Sequence, residues 1–200
     1  MTSTFYTHES NLFHPTIQHF QIHSTTIPEL VLRNATPADG PILLRLFTDV
    51  KNVGLDESAA GLGTPEAISD LIRQWNTFEP LERVNAVIVY QGTVIGTGGI
   101  GWISTTWQGK RIGNVGVMID TPYRGKGLAY EALRMSIDYA FRVLGMELVD
   151  CSTRDENKEF RGLMDRKFGF VGERIKDLRF GNDWTWTIER KAWEECSHSK

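Results

Sequence analysis

The chain has 200 residues, 40% of them hydrophobic and 24% charged, with a formal net charge of −3 at neutral pH. That size and apolar content suit one domain with a full core plus modest extensions. The acidic balance and the dispersed lysines and arginines argue against a nucleic-acid-binding surface, and no apolar run approaches the roughly 20 residues of a membrane helix. Two cysteines, Cys151 and Cys196, make neither a disulfide framework nor a zinc site, which suits a reducing, cytoplasmic compartment.

Residues 1–28 are rich in Thr, Ser and His with little periodicity, and read as a partly ordered extension draped over the domain. No apolar core and no arginine before Arg33 mark a secretory signal or a transit peptide. His8, His14, His19 and His23 fit no metal-ligand spacing and have no Cys or paired acid beside them, so no metal is expected.

A domain is expected over 29–193, with a frayed tail at 194–200. Glu29–Asn34 reads as a first strand. Thr36-Pro37-Ala38-Asp39 then opens a helix, with Thr36 as N-cap and Asp39 closing a capping box; Ile42, Leu43, Leu46, Phe47 and Val50 form its apolar stripe. Residues 51–63 read as a loop, and Thr64-Pro65-Glu66 starts a second helix carrying Ile68, Leu71, Ile72 and Trp75.

Val84–Tyr90, a Gln91-Gly92 turn and Thr93–Ile103 read as a β-hairpin. Within it, Gly96, Gly98 and Gly101 match the dinucleotide fingerprint G-x-G-x-x-G, with Asp120 at a suitable distance downstream. That motif requires a helix to open at its last glycine, and Trp102, Ile103, Thr105 and Thr106 are strand formers. The match is rejected; the glycines mark bulges or close backbone packing.

Val115, Val117 and Ile119 alternate as a buried strand that Thr121-Pro122 stops. Ala129, Leu133, Ile137, Ala140 and Leu144 then recur at helical spacing, with Glu131, Arg134, Asp138 and Arg142 as charge partners on the opposite face. Between the two lies Arg124-Gly125-Lys126-Gly127-Leu128-Ala129. Unpaired N–H groups of a helix start, two glycines and two cations make an anion site of a size for pyrophosphate. A lone RGKG turn is more often an ordinary strand-to-helix connection with solvated cations; the flanking strand and helix favour the anion site.

Arg124-x-x-Gly127-x-Ala129 between that strand and helix resembles the acyl-CoA signature of the GNAT superfamily of N-acetyltransferases. The wider run Tyr123-Arg124-Gly125-Lys126-Gly127 with Glu131-Ala132-Leu133 is most similar to the branch containing ribosomal-protein N-terminal acetyltransferases. A second block stands at the expected distance: a strand over 147–153, Asn157, and a short helix ending in Lys167-Phe168-Gly169-Phe170-Val171. A closing hairpin follows, Val171–Phe180 and Asp183–Glu189, with Trp184, Trp186 and Ile188 facing inward.

The resemblance implies an α/β (mixed α+β) GNAT-type acyl-CoA N-acyltransferase fold, with a mostly antiparallel seven-stranded sheet, splayed central strands and helices on both faces. It implies acetyl-CoA as cosubstrate, its pantetheine paired with Val117, Met118 and Ile119. The pyrophosphate would lie on the N–H groups of Gly125, Lys126, Gly127, Leu128 and Ala129, beside Arg124. Asn157 matches the family position that contacts pantetheine, and is equally the N-cap of its helix. In that fold the two helices after the first strand flank the acceptor cleft, so Asp56, Glu57 and Trp75 are candidates to touch substrate. Solvated acids and a core tryptophan are the commoner roles for such residues.

Three departures leave the catalytic residues unassigned. The family's acid tyrosine is replaced by Asp165; Phe160 and Arg161 stand where nearer relatives place Ser or Ala, leaving room for a helix one residue longer; and Asn114 stands where related enzymes carry a glutamate base. Asp120 and Asp150 are alternative bases, Asp150 being as easily a structural acceptor. The expected acceptor is a protein N-terminus or a small-molecule amine, with a homodimer left open. A CoA-binding module without turnover is the alternative; a nucleotide enzyme is disfavoured because no Ser or Thr follows Lys126.

Overall fold

A computed structural model describes residues 5–12, 19–54, 59, 61–175, 181 and 183–197. Three strands precede the helices: β1 (Tyr6–Ser10), β2 (Phe20–Ser24) and β3 (Leu30–Arg33). A 3-10 turn at Pro37–Asp39, closed by the expected Thr36–Asp39 capping box, leads into α1 (Gly40–Thr48) and the short α2 (Val50–Val53). Thr64 caps α3 (Pro65–Trp75) by accepting from the Ala67 N–H. Then come β4 (Val84–Tyr90), β5 (Thr93–Thr105), β6 (Arg111–Ile119), α4 (Leu128–Arg142) and β7 (Leu148–Thr153). The chain closes with α5 (Lys158–Gly162), β8 (Glu173–Arg174), β9 (Trp184–Glu189) and α6 (Arg190–Ser197).

The nine strands among the described residues lie in one sheet, ordered β1-β2-β3-β4-β5-β6-β7-β9-β8. Only β6 and β7 run parallel, because α4 carries the chain back across the sheet between them. The two strands beyond the seven predicted come from the N-terminal segment. Phe20 and Ile22 point into the core while Gln21 and His23 stay half exposed, an alternation hidden in the sequence by surrounding polar residues. His14, Asp56 and Glu57 lie outside the described residues, as does the stretch 176–180 of the predicted strand Val171–Phe180, of which Glu173–Arg174 forms β8.

Helices cover both faces. Leu133, Ile137, Ala140 and Leu144 of the α4 side pack with Val115, Ile119, Val149 and Trp186, while Leu43, Leu46, Phe47, Ile72 and Trp75 pack with Val87 and Val94 on the other face. Trp75 is thus a core residue, edge-on to Phe47. The charged side of α4 is buried: Glu131 is 2% exposed and Asp138 is fully covered. Glu131 accepts from Ser24 (2.5 Å) and pairs with Arg134 (2.6 Å); Asp138 accepts from Trp193 of α6 (2.7 Å) and pairs with Arg142. The β1–β2 hairpin and α6, an element absent from the sequence prediction, therefore share one helix as their anchor.

The glycines of the rejected fingerprint all lie in β5. A Cβ on Gly96 would collide with the Met118 carbonyl, and Gly99, at φ 103°, sits against the Val84 carbonyl. The register slips between Ile100 and Trp102, making Gly101 the extra residue of a bulge. After α5, Leu163–Phe168 forms a π-helical turn, the form an α-helix takes on when it absorbs one added residue.

Candidate active site

The sheet opens between β6 and β7. Their parallel pairing runs through Ile112↔Leu148, Gly113↔Val149 and Asn114↔Asp150 and ends there, although β6 continues to Ile119 and β7 to Thr153. The last rung is closed by a side chain: Asn114 Nδ2 donates to the Asp150 carbonyl at 3.3 Å. Past it, β6 stays paired with β5 and β7 with β9, so the two central strands diverge.

The free edge of β6 follows from its other partner. The Asp120 N–H donates to the Ile95 carbonyl at 2.7 Å, so by strand alternation the groups of Met118 face β5, and those of Val117 and Ile119 face the gap. The Ile119 carbonyl is taken by Arg124 Nε at 2.8 Å. Val117 N–H and C=O and the Ile119 N–H remain as an edge unpaired among the described residues. Among the expected trio, Met118 contributes its side chain to the core with α1 and α3, and not its backbone to the gap.

At the mouth of the gap stands the glycine turn. Gly125 and Gly127 adopt φ of 78° and 80°, values that suit glycine, and Gly127 caps α4 with no side-chain acceptor. The N–H groups of Gly125, Lys126, Gly127, Leu128 and Ala129 have no hydrogen-bond acceptor among the described residues. All but Leu128 and Ala129 belong to exposed residues. Lys126 lies over the Tyr123 ring at 5.3 Å, its ammonium at the rim of the turn. Open N–H groups at a helix start beside a cation make a geometry that favours an anion.

Arg124 is engaged within the protein. Besides Ile119, its guanidinium donates through Nη2 to the Lys51 carbonyl (2.9 Å) and to Asn52 Oδ1 (3.2 Å), lashing the turn to α2. Asn52 also receives the Thr121 N–H at 3.2 Å and donates to Asp120 at 3.1 Å. No local motif announces Asn52, because its partners lie about seventy residues away in sequence.

Asn157 is the N-cap of α5, accepting from the Phe160 N–H at 3.1 Å and donating to Thr153 Oγ1 at 3.0 Å, at the end of the splayed strand. Of the candidate bases, Asp120 is buried and bound to Arg45 at 2.6 Å. Bonds from Arg45 and Asn52 outweigh the burial cost and hold its pKa below the usual carboxylate range, so it serves as a structural anion. Asp165 accepts from Trp186 Nε1 at 2.9 Å. Asp150 keeps a pKa above the ordinary value because burial outweighs the Thr187 hydroxyl that donates to it at 2.7 Å. Cys151 is fully buried, its thiol pushed far up by desolvation, and has no access to the gap.

The family model for an acetyltransferase (GNAT) domain matches residues 29–171. The chain belongs to the GNAT acetyltransferase family. Solved structures share the fold at low identity. RimL, a ribosomal L7/L12 alpha-N-protein acetyltransferase in complex with coenzyme A, matches with TM-score 0.69 and 15% identity over 82% of this chain and 96% of that one. RimJ of Mycobacterium smegmatis in complex with CoA-disulfide matches at TM-score 0.66 and 19% identity, covering 84% and 86%. The microcin C7 self-immunity acetyltransferase MccE, in complex with acetyl-CoA and AMP, gives TM-score 0.65 and 14% identity over 84% and 96%. This GNAT protein is an acetyl-CoA-dependent acetyltransferase. Among its described residues no group of His, Cys, Asp or Glu is placed to hold a metal ion, and no helix is long and apolar enough to cross a membrane.

Proposed function

We propose that this acetyltransferase transfers the acetyl group of acetyl-CoA to a primary amine by direct attack in a ternary complex. The reading rests on one observation: unbonded N–H groups at 125–129 stand at the mouth of a gap whose β6 edge is also unpaired. Diphosphate oxygens accept from the N–H groups of Gly125, Lys126, Gly127, Leu128 and Ala129, and the Lys126 ammonium adds charge. Arg124 holds the turn in shape. The pantetheine amides pair with Val117 and Ile119 as an added half-strand, and Asn157 borders the thioester end from α5. Binding the thioester in a fixed gap turns acyl transfer into an oriented encounter with the amine.

The acceptor is a protein N-terminus or a small-molecule amine. RimL is described as acting on a protein N-terminus, which favours the former. Free-thiol release from acetyl-CoA, measured over a panel of N-terminal peptides, lysine peptides and alkyl amines, tests the reading. Release with at least one amine, together with its N-acetyl product by mass spectrometry, is expected. CoA binding without release from any acceptor identifies instead a binding module without turnover.

A further inference from the structure

At the rung where β6 and β7 part, four side chains line up across four strands. Trp102 of β5 pairs with Asn114 of β6, Asn114 with Asp150 of β7, and Asp150 with Thr187 of β9. Partners in register share a face of the pleat, and this face lies opposite α4, under which Val115, Val149, Cys151 and Ile188 are buried. Trp102 joins the row only because the bulge at Gly101 shifts it by one residue; without it, Gly101 would pair with Asn114.

Trp102 is 38% exposed and Thr187 is exposed, so the row forms an open floor at the head of the gap. Asp150 is its one carboxylate. Oδ1 accepts from Thr187 at 2.7 Å, and Oδ2 has no partner among the described residues. The glutamate that the family resemblance places at position 114 is here an amide, and the carboxylate stands one strand over on the same rung.

We propose that Asp150 is the catalytic base, taking the proton of the acceptor ammonium on a floor walled by Trp102 and steadied by Thr187. This rests on the acetyl-transfer reading above. In the step, Asp150 Oδ2 removes one N–H proton from R–NH3+. The freed lone pair bonds to the thioester carbonyl carbon, and the C–S bond breaks. The departing CoA thiolate takes a second N–H proton, leaving the amide; Asp150 returns its proton to solvent. Burial helps, since it raises the proton affinity of Asp150 toward that of a useful base.

The test uses the full chain and the amine of the panel that releases most thiol. Asp150→Asn should lower kcat roughly 10²- to 10⁴-fold while CoA affinity by calorimetry stays that of the wild type, with Asp150→Glu recovering part of the loss. The loss should be larger for a lysine amine than for an α-amino group, whose ordinary pKa is lower by roughly 2–3 units and which needs less help to lose its proton. Turnover of Asp150→Asn at the wild-type rate overturns the assignment, as does a parallel loss of turnover and CoA affinity, which marks a structural role. Wild-type protein that releases no thiol with any amine refutes the acetyl-transfer reading itself, a different outcome.

Discussion

Replacing Asp138 by Ala should be among the most destabilising single changes available outside the gap. Its carboxylate is fully covered; Oδ1 receives Trp193 Nε1 at 2.7 Å and Arg142 Nε at 3.0 Å, and the same Nε lies 2.9 Å from Oδ2. Alanine leaves an indole N–H and a guanidinium facing each other without the acceptor they share. Removing one partner of a buried ion pair costs about 3–5 kcal/mol. Because the Arg142 side chain is 20% exposed, water recovers part of the cation, so the lower end applies, about 3 kcal/mol. For a domain of this size that is a fall in Tm of roughly 6–12 °C. Differential scanning calorimetry reads it directly. CoA affinity of the folded fraction should not change, since Asp138 lies three helical turns from Gly127. Asp138→Asn, which keeps one acceptor, should lose less. A fall in Tm below about 2 °C for the alanine variant would mean that α6 is not anchored through Asp138.

Two further outcomes probe the site. Gly127→Glu places a carboxylate at the anion cradle and a side chain at φ 80°, so CoA affinity should fall sharply, while stability falls by about 1–2 kcal/mol for the left-handed backbone; Arg124→Ala should weaken CoA binding through loosening of the turn, and unchanged affinity by calorimetry in both variants would remove the cradle from the mechanism. Asp120 titrates below its unfolded value, so its contribution to stability is complete above roughly pH 4 and is lost as pH falls through the folded pKa. Asp120→Asn should therefore melt below the wild type at pH 5 and converge with it in strong acid; a constant difference across that range would refute the linkage.

Much of this molecule is legible in its residues because the signals are local. Thr36 and Asp39 form the capping box that their spacing announces, Gln91-Gly92 makes the tight turn, and Trp186 and Ile188 point inward as their alternation requires. The turn at 124–129 is equally local: glycine at left-handed φ and a helix start with open N–H groups depend on six adjacent residues. The roles of Arg124 and Asn52 are not local, since each is set by partners on α2 and β6 that only folding brings together.

What the amino-acid order determined by itself was most of the run of elements from β3 to β9, the rejection of a nucleotide fold, and the position of the glycine turn with open N–H groups. What only the tertiary structure decided was register and coverage. The bulge at Gly101 chooses which residue faces Asn114, the ladder ends at Asp150, and the charged side of α4 is buried under two terminal segments. The physical reason is range: propensity, capping and periodicity act over a few residues. Which strand edge stays unpaired, and which carboxylate loses its water, depends on groups as far apart as Ser24 and Glu131, 107 residues, meeting in one place.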